Sequence, residues 1–174
     1  MSGEELYLLE TIKSLRGIKS LAEKAIEQIS EEELHYSPDS ESNSVAIIMK
    51  HISGNMLSRF TDFLTSDGEK SWRKRDNEFI DEKLSRDGIL EFWNRGWECV
   101  LNAVKDLKPE DLASKVFIRD EEHTVMRALQ RQLVHYSYHT GQIVYLCKQI
   151  RKSEFHTLSI SRGQSENYTP QTPK

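Results

Sequence analysis

Residues 124–151 read TVMRALQRQLVHYSYHTGQIVYLCKQIR. Met126, Leu129, Leu133, Tyr136, Thr140, Ile143, Cys147 and Ile150 recur at steps of three and four, the period of an α-helix with one buried stripe. At about 100° per residue, His135 and His139 lie side by side, roughly a quarter turn from the middle of that stripe. They stand on its border, where a side chain can face a cleft. A helix of this length must cover its stripe with other helices, so the fold turns on whether the rest of the chain supplies them.

Three earlier stretches do. From Glu4 to Ile29 the apolar positions Leu8, Ile12, Leu15, Ile18, Ala22, Ala25 and Ile29 keep the helical step. A second helix is predicted over 44–64, carried by Val45, Ile48, Ile52, Met56, Phe60 and Phe63 and ended by SDG at 66–68. A third spans 85–105, with Ile89, Phe92, Trp93, Gly96, Val100, Leu101 and Val104 on its face and Pro109 beyond its end. The segment EEELHYSPDSESN (31–43) breaks the period, and reads as a loop whose serines and asparagine supply N-caps for the second helix. Residues 67–83, DGEKSWRKRDNEFIDEK, are charged and aperiodic but include Trp72 and Phe79, which predicts a long ordered crossover. KPEDLA gives a short helical turn, and KVFIRDEEHTV a small hairpin too short to build a sheet. The expected fold is all-α, a four-helix bundle with its long crossover between helices two and three. One domain over 1–160 is followed by a polar tail, 161–174, whose last ten or so residues are expected to be disordered.

A chain of 174 residues is long enough to bury a core without disulfides. Its net charge of -4 repels nucleic acid and anionic membranes, so neither is expected as a partner. The N-terminus has no basic region before an apolar run, and nowhere do eighteen apolar residues occur together, which leads to a cytoplasmic expectation. Cys99 and Cys147 sit in apolar periodic surroundings without a CxxC and read as buried, reduced thiols. Trp72, Trp93 and Trp97 read as packing residues.

The chemistry starts from the histidine pair. Imidazoles at i and i+4 project from one face and can converge on one ion, and Gln142 shares that face. The same spacing also suits two border histidines that only pack and hydrogen-bond to neighbours. A metal needs a third ligand from another element. His35 and His156 lie in a loop and the tail, and His123 in the charged turn before the last helix. His51 is different: it lies inside the second helix beside Ile52, with Gly54 and Asn55 one turn on. Gly54 costs about 1 kcal/mol of helix propensity relative to Ala, and removes a side chain where a ligand or substrate would need room. In SWRKRDNEF, Arg73, Lys74 and Arg75 stand beside Asp76 and Glu78. They read either as a self-paired solvated loop or as an anion clamp for the carboxylates of a thiol cofactor or substrate, which Asn55 and Arg59 could join.

The stretches SNSVAIIMKHISGNMLSRFTDFL (42–64), DGEKSWRKRDNEF (67–79) and HYSYHTGQIVYL (135–146) resemble the DinB/YfiT-like superfamily, and the resemblance runs over residues 1 to about 165. It implies a four-helix bundle in which His51, His135 and His139 hold a divalent metal, nickel or zinc. It implies homodimers as well. Related members are bacillithiol and mycothiol S-transferases and the mycothiol-dependent maleylpyruvate isomerase. Relatives read LSIPRG near the end, where this chain has LSISRG with Ser161 in place of proline. The resemblance therefore implies a metal-dependent S-transferase acting on a low-molecular-weight thiol, or a hydrolase. The alternative is a non-catalytic, dimeric metal-binding module of a stress response.

Overall fold

Five helices, α1 (Gly3–Ile26), α2 (Glu31–Leu34), α3 (Val45–Phe60), α4 (Arg86–Lys105) and α5 (Val125–Arg151), each begin immediately after a serine or threonine. In each case the hydroxyl oxygen of Ser2, Ser30, Ser44, Ser85 or Thr124 accepts a backbone N–H from the first turn, which satisfies one of the donors a helix start leaves open. The computed structural model describes residues 1–167 and Thr169, and these are mostly helical. The only strands among the described residues are β1 (Lys115–Ile118) and β2 (Glu121–Thr124), an antiparallel pair with Lys115 opposite Thr124.

α1 packs on α5 and α3 on α4, while contacts of α1 with α4 and of α3 with α5 join the two pairs. Trp93, Trp97 and Tyr136 are fully buried between them, with rings edge-on at 5.5 Å and 5.9 Å between centroids. Gly96 lets α4 approach α3 closely, since a Cβ there would sit 2.9 Å from the Ser53 Cα. α3 is the most enclosed element: all its residues except Lys50 and Leu57 are buried, including His51, Asn55 and Arg59.

The structure departs from the sequence expectations in several places. Residues 31–43 are not all loop, because Ser30 and Glu33 form a capping box that sustains the one-turn α2. The second predicted helix ends at Phe60, four residues early; Thr61 turns extended and Asp62 takes φ 49°, so the apolar residues that follow belong to a turn. The crossover is ordered, and it includes a 3-10 turn at Arg75–Phe79, but Trp72 is 54% exposed and does not anchor it. The buried side chains there are those of Arg73 and Glu78. Met126, expected in the α5 stripe, is exposed, and Gln132 takes a buried place on that helix instead. Both cysteines are free, with Cys147 buried and Cys99 partly so. The hairpin and the 3-10 turn at Pro109–Ala113 lie where the sequence puts them. The expectation for the last ten or so residues falls largely on positions outside the described ones. No helix of the described residues is long and apolar enough to cross a membrane.

Candidate metal centre

His51 comes from the middle of α3, and His135 and His139 from successive turns of α5. One ring nitrogen from each of the three lies within 4.8 Å of the others. The Nε2 atoms of His135 and His139 are 3.1 Å apart, and the His51 ring meets the other two edge-on at 5.4 Å and 5.0 Å between centroids.

Which nitrogen each ring offers is set by what its other nitrogen touches. The His51 Nδ1–H donates to Glu78 Oε2 at 2.9 Å, and the His139 Nδ1–H donates to the Gln142 side-chain oxygen at 2.7 Å. Both rings therefore carry their proton on Nδ1 and present the Nε2 lone pair to the cluster. Gln142 is in turn aligned by donating its amide N–H to the Tyr138 hydroxyl at 3.1 Å. The His135 Nδ1 is buried without a partner among the described residues. Burial, followed by the charge of His139 and His51, pushes the His135 imidazole down to about 3, and burial also lowers His139. Burial keeps the His135 and His139 imidazoles neutral into acid, and three rings that bring one nitrogen each to a common point form a group that could hold a metal ion.

Glu78 ties this centre to the crossover. Arg73 donates to it through both Nε (2.7 Å) and Nη2 (2.8 Å), a bidentate pair in which the two side chains are 2% and 8% exposed. Burial pushes the Glu78 carboxyl up, but the hydrogen bonds from His51 and Arg73 and their charge outweigh it, and the group is held below the usual carboxylate range. Gly54 makes the arrangement possible: a Cβ there would lie 2.3 Å from Glu78 Oε1 and 2.8 Å from its Cδ. The space that the sequence assigns to a ligand is filled by a carboxylate of the chain itself.

The other residues expected to bind a cofactor divide. Arg73, read from the sequence as a ligand clamp or a solvated charge, is buried and directed at Glu78. Arg59 is buried, donating to the Gly68 carbonyl and to Glu69 at 3.0 Å. Asn55 accepts from the Tyr136 hydroxyl at 3.3 Å. Arg75 lies over the Phe79 ring at 4.9 Å, and Phe79 packs against His51 at 4.8 Å. Asn55, Arg59, Arg73 and Arg75 line a cavity of about 190 Å³ that opens beside His51 and His135; Gln142 lies apart from it, behind His139.

Arg119, Arg131 and Gln132 complete the walls, and the sequence reading missed all three. Arg119 is the first of two residues at the hairpin tip with positive φ, 57° and 62°. Asp67, in the loop after α3, accepts the N–H groups of Arg119 (2.9 Å) and Asp120 (2.8 Å), which fixes that tip against the site. A signal for Arg131 was available, since it stands one turn before His135 on the same face of α5.

The cysteines take no part. Burial raises the thiol pKa of Cys99, and pushes that of Cys147 up to about 12, so neither offers a thiolate near neutral pH.

No curated protein and no solved structure matches the chain. A family model described as "Protein of unknown function (DUF1572)" matches residues 2–164, nearly the whole length. By that match the chain belongs to the DUF1572 family.

Proposed function

We propose that this protein is a metal-dependent enzyme of the DinB/YfiT type, a four-helix bundle that holds nickel or zinc through His51, His135 and His139. The observation that carries the reading is the orientation of the histidines: two Nδ1–H groups are committed to Glu78 and Gln142, and the nitrogens that remain face one another. Packing alone does not require that orientation. A divalent ion with three imidazole ligands lowers the pKa of water or a thiol at its remaining positions, and so supplies a nucleophile near neutral pH.

The chain's own residues do the rest. Glu78 and Gln142 hold the imidazoles in the ligating tautomer and stop them from turning. Phe79 covers one face of His51. The cavity beside His51 and His135 admits the second reactant. By analogy with relatives of that superfamily, the preferred reaction is transfer of a low-molecular-weight thiol of the bacillithiol kind to an electrophile, with hydrolysis as the other version. The proposed setting is the cytoplasm, as a homodimer, with no nucleic-acid or membrane partner. The alternative remains a non-catalytic metal-binding module of a stress response.

The test combines metal content with turnover. Wild-type protein loaded with nickel or zinc is expected to hold close to one ion per chain, and His139→Ala to lose it. Conjugation of a small thiol to a generic electrophile should stop when a chelator removes the metal. Equal metal in both proteins would end the metal assignment. Metal bound without conjugation or ester hydrolysis would favour the non-catalytic module.

A further inference from the structure

The cavity beside the imidazole cluster has an unusual charge. Among the described residues five arginines line it, Arg59, Arg73, Arg75, Arg119 and Arg131, and no carboxylate does, in a chain whose net charge is -4. Glu78 answers Arg73. Glu69 alone is shared among the others that are buried or near it: it pairs with Arg59 at 3.0 Å, Arg119 at 2.8 Å and Arg73 at 3.7 Å. Among the described residues Arg75 and Arg131 have only long ion pairs, 3.7 Å to Asp76 and 3.8 Å to Glu121, both acids being largely in solvent, and one Arg131 nitrogen, Nη1, also lies 3.4 Å from His123 Nε2. Such pairs are screened and leave guanidinium donors free. Inside the cavity wall, the Arg59 Nε and the Gln132 side-chain oxygen are buried without partners among the described residues. Unanswered buried polar atoms are costly, and a ligand that answers them recovers that cost.

We propose that this cavity binds the oxyanion group, carboxylate or phosphate, of a small-molecule substrate or cofactor, gripped by Arg75, Arg119 and Arg131. The three reach it from separate parts of the chain: the 3-10 turn of the crossover, the hairpin tip and α5. Each guanidinium offers a planar fork suited to two oxygens of one anion. At about 190 Å³ the cavity has room for a compact organic anion and not for a polymer. Gln132 accepts a hydroxyl or N–H from the same molecule. The proposal deepens the metal-enzyme reading and rests on it for what the far end of the ligand meets, because His51 and His135 form part of the same wall.

Anion binding and metal binding are measured separately. Inorganic phosphate, succinate and the neutral succinamide are titrated calorimetrically into metal-free and zinc-loaded wild type, Arg131→Gln and Arg75→Gln. Both arginines are partly exposed, and circular dichroism checks that the variants fold. Saturable binding of phosphate or succinate, but not succinamide, is expected, weakening with salt and falling about tenfold or more in each variant. Zinc affinity in the variants should stay within about twofold of wild type. The stronger of the two probes assigns the group as phosphate or carboxylate. No saturable binding of either anion at tens of millimolar, or equal binding in wild type and both variants, would overturn the proposal. Anion binding in a protein that takes up no zinc would preserve it and remove the metal reading; zinc uptake without anion binding would do the reverse.

Discussion

Replacing Gly54 by alanine inserts one methyl group against the carboxylate that orients His51. Alanine improves helix propensity by about 1 kcal/mol. Its Cβ, however, would stand 2.3 Å from Glu78 Oε1 and 2.8 Å from Cδ, so the carboxylate must move. Glu78 accepts three hydrogen bonds in the native arrangement, two from Arg73 and one from His51. Separating a buried pair of this kind costs about 3–5 kcal/mol, which leaves a net loss of roughly 2–4 kcal/mol after the propensity gain. At about 2–4 °C per kcal/mol for a chain of this size, the melting temperature should fall by on the order of 5–15 °C. Metal affinity should fall by about 10–100-fold, because His51 loses the acceptor that fixes its tautomer. Calorimetric melting of the metal-free protein and competitive zinc titration read the two effects. Gly141→Ala is the control: it sits in α5 with no atom within 4 Å of its added Cβ, and should gain up to about 1 kcal/mol. A Gly54→Ala protein that melts at or above wild type, with unchanged zinc affinity, would refute the wedge argument.

Three further outcomes follow from the same geometry. Arg73→Ala should destabilise by about 3–5 kcal/mol in urea unfolding, since it strands the buried Glu78 carboxylate; neither sequence reading of Arg73, a ligand clamp or a solvated charge, carries that cost, and unchanged stability would return it to one of them. The metal-free fold should weaken in acid: His135 is held near 3 against about 6.5 in the unfolded chain, so the unfolded state binds more protons in between. Its contribution is complete above about pH 6.5 and is lost as pH falls toward 3, and His135→Gln should flatten the stability profile over that window; an equally steep profile in the variant would assign the loss to other groups. In native protein at pH 7.5, Cys147 should react with a thiol reagent far more slowly than in urea, and equal rates would contradict its burial.

The helices were legible because their periods are long and regular, and the histidine triad because two members share a helix face while the third sits beside a core residue. The early end of α3 was not legible: Phe63 and Leu64 continue the apolar period, and the extended Thr61 and the positive φ of Asp62 break it. Glu78 was hidden for a different reason. In RKRDNEFIDE every acid looks alike, and burial of one depends on a long-range fit to Gly54 that no local pattern encodes. Gly54 itself was the clue, a missing side chain on the face of His51, but the sequence leaves open whether a ligand or the chain fills the gap. Arg119 depends on how the hairpin docks on Asp67, a contact between residues 52 positions apart.

The walls of the cavity are drawn from α3, the crossover, the hairpin tip and α5, so no fragment of the chain carries a usable site. Occupancy and folding are then one linked equilibrium. A ligand present at about 100 times its dissociation constant adds about 2.7 kcal/mol to the stability of the whole domain, equivalent to roughly 5–10 °C at this chain length. Melting of the intact protein against a collection of metals, small anions and thiols is therefore a search for the natural ligand that presumes no reaction, and an anion that raises the melting point further once a metal is present would identify both halves of the site together.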